Sequence, residues 1–258
     1  FNMIPHLLYF FTCALSAMMV SWVLVFPASW VPEDWFPNFH RMRQEFFKTE
    51  LAPVPDTIST KYLPFPSVRY SHILPSALWS LAIPIQLNPW FRRKHPKLHR
   101  VVGYVFLCAA VSMTFGILRI LQLDLVYDVF DFPSLQRHQN FSRISPLLPQ
   151  SIQKALPDAN VALFLGVTAV FVSSIVASVL AARRKDFYCH QIWLYRHIAA
   201  GLWVALQRLY LGALSSSTPE SQKSNFTDGT WCGLVLTFSV SEVAVRYLHP
   251  PHSRKKED

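Results

Sequence analysis

The sequence predicts an all-α fold, a polytopic membrane helix bundle of about six transmembrane helices. Three observations lead there. Of the 258 residues, 52% are hydrophobic and only 15% are charged, against about 25% charged in an ordinary soluble domain. Apolar stretches of the roughly 18–25 residues that cross a hydrocarbon core recur at 3–27, 72–90, 99–123, 159–182, 190–214 and 229–248. Finally, threading those six spans collects basic residues on one side of the bilayer.

That side receives the N-terminus, the 91–98 and 183–189 connections and the C-terminal tail. Its loops and helix ends carry thirteen basic residues: Arg92, Arg93, Lys94, Lys97, Arg100, Arg183, Arg184, Lys185, Arg196, Arg246, Arg254, Lys255 and Lys256. The acids there are Asp186, Glu257 and Asp258. The other side, formed by 28–71, 124–158 and 215–228, has nine basic and eleven acidic residues. The imbalance predicts that both termini face the cytoplasm or a matrix. The net charge of +9 is then met by anionic headgroups, and nucleic acid is not needed as a partner.

The first span is too long, and flanked too late by charge, to be read as a cleaved signal peptide. The 28–71 connection carries Trp30, Trp35 and six prolines from Pro32 to Pro66, which predicts an extended segment with rings at headgroup level. In the second span His72, Trp79 and Gln86 follow at seven-residue steps that drift only about 20° each, one stripe on a helix. Such a stripe suits helix packing, because Gln bonds across helices. Pro84 removes an interior hydrogen bond and predicts a kink.

The third span opens with Lys97-Leu-His99-Arg100-Val-Val-Gly103-Tyr104 and carries Arg119 near its far end. Gly103 offers close approach to a neighbouring helix or a flat ligand. Arg119 sits about 200° away from His99 around the helix, so the two do not share a face. The 124–158 connection starts with an acidic, aromatic run from Asp124 to Asp131 and is expected along the interface. In the fifth span, His190, His197, Gly201 and Arg208 fall within about 20° of one line. A guanidinium that deep costs a few kcal/mol facing lipid, so Arg208 is expected to point into the bundle. Glu242 is the single acid inside the sixth span. The four cysteines, Cys13, Cys108, Cys189 and Cys232, show no metal spacing and are expected to be small buried apolar residues. Sequons at Asn140 and Asn225 both fall on the less basic side.

The stretches His72-Ile-Leu-Pro-Ser-Ala-Leu-Trp79 with Gln86, Arg92-Arg93, His99-Arg100 with Gly103-Tyr104, and His190-Gln-Ile-Trp193 with Arg196 and Arg208 resemble a family of membrane proteins known only as domain of unknown function 2306. The resemblance covers roughly 72–210. It implies a four-helix core with His72, His99, Arg100, His190, Arg196 and Arg208 on signature positions, and it implies no activity.

Three functional classes fit these residues. A b-type haem bundle for electron transfer would use His99 and His190 as axial ligands, or His197 in place of His190, with Arg100 and Arg196 near the propionates; His72 lacks a histidine partner on the other side. A non-catalytic subunit of a larger membrane complex, such as a respiratory one, would use the long aromatic connection as a docking surface. An intramembrane binder would hold a lipid, a quinone or an anionic ligand by Arg119 and Arg208. No phosphate loop, nucleophile elbow, zinc-protease helix or intramembrane carboxylate pair is present, which argues against hydrolases and proton pumps.

Overall fold

The structure, a computed structural model, describes residues 4–25, 33–48, 60–127, 150–214 and 218–248. Among the described residues every regular element is helical. In chain order they are α1 (Ile4–Val25), α2 (Pro37–Lys48), α3 (Pro66–Val68), a π-helical turn (Arg69–Ile73), α4 (Leu74–Leu87), α5 (Pro89–Lys94), α6 (Pro96–Gln122), α7 (Gln150–Arg183), α8 (Phe187–Ala213) and α9 (Pro219–Leu248).

Helix α8 is the centre. Four consecutive residues, His197, Ile198, Ala199 and Ala200, are all buried, and because consecutive side chains point about 100° apart, the middle of this helix is covered on every side. It packs between α7 and α9 and touches α1, while α4 lies between α6 and α1, and α6 meets α7. Small residues (Ala199, Ala200, Gly201, Ala205) let neighbours approach its axis closely.

Among the described residues three helices are long and apolar enough to cross a membrane: His6–Leu24, Pro96–Gln122 and Ala162–Arg183. Their outward faces present Phe10, Val105, Phe115, Val170 and Val176 without cover. The other predicted spans depart from that standard for a physical reason. Helix α4 proper is 14 residues long. Helices α8 and α9 have the length, at 27 and 30 residues, but carry ionic and amide groups, Arg196, Gln207, Arg208 and Glu242 among them, so their mean hydropathy falls.

The second predicted span begins earlier than the hydropathy indicates. Pro75 is the second residue after the π turn and has no N–H for the carbonyl of Ser71, four residues back. That carbonyl is taken by Ser112 Oγ of α6 at 3.0 Å. The turn is then pressed onto α6, where a Cβ on Gly116 would collide with the backbone and Cβ of His72. At the other end Asn88 leaves the helix in an extended conformation and caps α5, accepting from the Phe91 N–H at 3.0 Å. The Pro84 carbonyl accepts from the Tyr9 hydroxyl at 3.0 Å, which ties α1 to α4.

The sixth predicted span also starts too late, at 229 instead of Pro219. Residues 219–228 are polar, yet Lys223, Ser224, Asn225 and Asp228 are buried, with Ser224 Oγ donating to Asp228 at 3.3 Å. The Asn225 sequon is therefore inside a helix with a fully buried side chain, closed to modification in the folded state. The Asn140 sequon and most of the 124–158 connection lie outside the described residues, as do parts of 28–71. The cysteines correct the expectation of burial: all four are free and none is buried, with Cys108 and Cys232 exposed. A thiol is apolar enough to face lipid.

Gly201 and Gly212, eleven residues apart on α8, give a paired test. A Cβ on Gly201 would meet the fully buried Trp79 ring, whereas nothing lies within 4 Å of one on Gly212. We expect Gly201→Ala to destabilise by about 1–3 kcal/mol and Gly212→Ala to be neutral or slightly stabilising, read as detergent-solubilised thermal midpoints.

Candidate functional site

The seven-residue stripe of α4 faces α6 along its whole length. His72 Nδ1 lies 3.3 Å from the Met113 carbonyl, Trp79 stacks on Phe106 with ring centres 5.5 Å apart, and Gln86 Nε2 donates to the His99 carbonyl at 2.9 Å, passing against Gly103. Trp79 also reaches α8. Its indole N–H donates to His197 Nε2 at 3.0 Å. An indole can only donate, so His197 accepts at Nε2 and carries its proton on Nδ1, which it donates to the Phe171 carbonyl of α7 at 2.8 Å. Trp79 and His197 are essentially inaccessible. Both nitrogens of His197 are thereby engaged, which corrects its candidacy as an axial ligand.

Above this bridge, toward the C-terminal end of α8, lies a cavity of about 240 Å³ with walls from α1, α4, α6, α7, α8 and α9. Phe171, Ala200 and Gly201 form its floor, next to the bridge, and His72 and Arg208 are both on its walls. Tyr62, Tyr127 and Phe226 collar its outer end, with the Tyr127 and Phe226 rings 5.0 Å apart. Lys61 donates to the Val126 carbonyl at 3.0 Å across that rim. Among the described residues no acid lines the cavity.

Arg208 is 9% exposed. Its guanidinium carbon sits 4.9 Å from the Trp22 ring centre and 5.5 Å from that of Phe226, while Nε and Nη1 are buried with no hydrogen-bond partner. As the fifth-span stripe predicts, it points into the bundle. Glu242 is not its counter-ion. That carboxylate takes Arg196 in a forked pair, 2.6 Å from Nε and 3.1 Å from Nη2, and Arg196 also lies over Trp193 at 4.9 Å.

The remaining predicted residues fall elsewhere. His99 and His190 occupy the opposite end of the bundle, within electrostatic reach of each other and of Arg92. His190 Nδ1 lies 3.0 Å from the Ser178 carbonyl and 2.9 Å from its hydroxyl, and His99 Nδ1 is buried without a partner. Neither imidazole lines this cavity or the second one, between α1 and α9. Arg100 is exposed. Arg119 is exposed too and donates to Gln122 at 2.9 Å, so it does not join Arg208 as the binder reading expected. Among the described residues no group of three or more His, Cys, Asp or Glu converges to hold a metal ion. Sequence reasoning missed Trp22, Phe226, Tyr62 and Tyr127; the signal for Trp22 was an aromatic near the end of an apolar span, at the depth of the arginine. No family model matches the chain, and no curated protein and no solved structure matches it.

The bridge is open to a double-mutant cycle. Trp79→Phe strands the His197 lone pair, and His197→Leu strands the indole N–H and the Phe171 carbonyl. Each should cost about 1–3 kcal/mol, with a coupling energy of about 0.5–3 kcal/mol between them. Additive losses in chemical denaturation would show that the contact contributes nothing of its own.

Proposed function

We propose that the chain is a multi-pass membrane protein whose inner cavity binds an amphiphile, with an apolar body between the helices and an anionic or quinone-like oxygen at Arg208. The observation that carries this reading is the buried Arg208 guanidinium with two unpartnered nitrogens on a cavity wall. Stacking on two aromatic rings supplies part of what a desolvated cation needs, about 2 kcal/mol or somewhat more per contact. Isolating a charge in hydrocarbon costs more than that. A carboxylate or phosphate oxygen supplies the rest in charge-assisted bonds. His72, donating from Nδ1 to Met113, keeps Nε2 as an acceptor for a ligand hydroxyl on the same cavity.

Six spans belong to this proposal. Beyond the three apolar helices, α4 exposes Leu78 and Leu81 and α9 exposes Val235, Leu236 and Val243, outward faces suited to lipid. The bundle end that holds Arg92, His99 and His190 is the basic one, and it would face cytoplasm or matrix. A likeness to domain of unknown function 2306 belongs to the same proposal and rests on the sequence motifs.

A second reading, b-type haem on His99 and His190, is supported by the unpartnered His99 Nδ1 and by the His190 proton held on a backbone carbonyl, the arrangement that frees Nε2 for a ligand. An absorption spectrum of the purified protein tests it: a Soret band lost in both His99→Ala and His190→Ala supports haem, and a featureless visible spectrum removes it.

Binding is tested with a fluorescent long-chain carboxylate and its methyl ester. The wild-type protein should prefer the carboxylate, and Arg208→Gln should weaken carboxylate binding by about 10- to 100-fold with little change for the ester. Equal binding of both probes by both proteins would dispose of the reading. For topology, single cysteines in place of Lys97 and Lys185 should label from one side of sealed vesicles and one in place of Ser221 from the other.

A further inference from the structure

The second cavity has no role in the binding reading, and its chemistry is different. It measures about 440 Å³ and runs along α1, α8 and α9 at the basic end of the bundle. Phe11, Leu15, Leu202 and Val240 make its walls apolar, and Trp90 and Arg93 of α5 stand at its mouth. Among the described residues no acid lines it. Trp90 is largely exposed at the helix break, where an indole anchors at the headgroup level, and Lys94 lies over its ring at 4.9 Å. One wall group is unexplained: Ser241, buried, presents a hydroxyl with no hydrogen-bond partner.

We propose that this groove is a site for an anionic phospholipid of the basic-side leaflet. One acyl chain lies between α1 and α9, the phosphate rests on Arg93, and an ester carbonyl accepts from Ser241. The elongated apolar wall fits a hydrocarbon chain. The cation at the mouth, flanked by Arg92 and Lys94 in the same short helix, selects charge, as basic pockets between membrane helices do. The unpartnered hydroxyl asks for an acceptor at the polar–apolar boundary, where a glycerolipid carries its esters. Free phosphate offers none of the chain contacts, so the occupant is the lipid and not the ion.

The site shares no residue with the Arg208 cavity, so the two proposals fail separately. The test is native mass spectrometry of the full chain released from nanodiscs of equal phosphatidylglycerol and phosphatidylcholine. Retained phosphatidylglycerol should exceed phosphatidylcholine by about fivefold or more, and Arg93→Gln should reduce that preference by about fivefold. All proteins compared carry Arg208→Gln, so that the Arg208 cavity contributes no anionic lipid; in that background Ala244→Phe, which fills the groove from α9, should abolish retention of both lipids. Inorganic phosphate added before release should displace nothing. A lipid ratio near one, a preference that survives Arg93→Gln, retention that survives Ala244→Phe, or displacement by phosphate would each overturn the proposal. Arg93 is exposed, so its variant is expected to fold; a normal thermal midpoint for Ala244→Phe confirms that loss of lipid there reflects a filled groove.

Discussion

The bundle depends on one hydrogen-bonded contact, the indole of Trp79 against His197. Helices α4 and α8 stand in different halves of the bundle, and this ring bridges them. To get there it needs Gly201, whose missing side chain leaves room for the indole edge. The bond then fixes the tautomer of His197, which fixes the bond to Phe171 on α7. Three helices are registered by one tryptophan and one histidine, with Phe106 of α6 stacked on the indole and edge-on to the imidazole. In a medium with no water to substitute, an unmade bond at this position would leave a donor and an acceptor stranded together. The arrangement also sets the floor of the Arg208 cavity and keeps the imidazole away from any iron.

Much of this was legible at seven-residue spacing. His72, Trp79 and Gln86 in one stripe, and His190, His197, Gly201 and Arg208 in another, are patterns that survive without knowing any partner. Periodicity gives the face of each helix. It does not give the neighbour, so His197 was read as a spare ligand when it was already committed to Trp79. The early start of α9 was hidden for a related reason: Lys223, Asn225 and Asp228 look like loop residues until they are seen buried. The π turn at Arg69–Ile73 was signalled only by Pro75 and became readable once Ser112 was placed opposite the Ser71 carbonyl. Hydropathy missed both starts because it scores residues singly, while burial of polar groups is decided in pairs.

The chain handles its two inner arginines in contrasting ways. Arg196 is matched by a forked carboxylate, and both partners keep some exposure, at 31% and 40%. A partly exposed pair of this kind contributes little to stability, about 1 kcal/mol or less, and its clearer effect is to fix α9 against α8. Among the described residues Arg208 has no acid paired with it. Two aromatic faces hold the plane of its guanidinium and leave the edge free, and the edge is where a planar fork of N–H donors recognises an oxyanion. A purely structural cation would more economically have been given a carboxylate, as its neighbour three turns away was.

That contrast also bears on why the central helix fails the hydropathy standard that α1, α6 and α7 meet. Membrane helices gain little by packing apolar faces together, since lipid is as apolar as leucine. Specific association must come from close small-residue contacts and from polar groups that find each other. Helix α8 concentrates both, with alanines and Gly201 for approach, and His190, Arg196, His197 and Gln207 bonded in turn to Ser178, Glu242, Trp79 with Phe171, and the Phe226 carbonyl with Thr230. Every one of these groups is satisfied by a different neighbour. Arg208, continuing the same helix by one residue, departs from that pattern, and it does so on a cavity wall. The departure cannot be assigned to crowding of polar groups, because Gln207 beside it found two partners. On the proposed reading, it marks the position where the helix presents its polarity to a ligand.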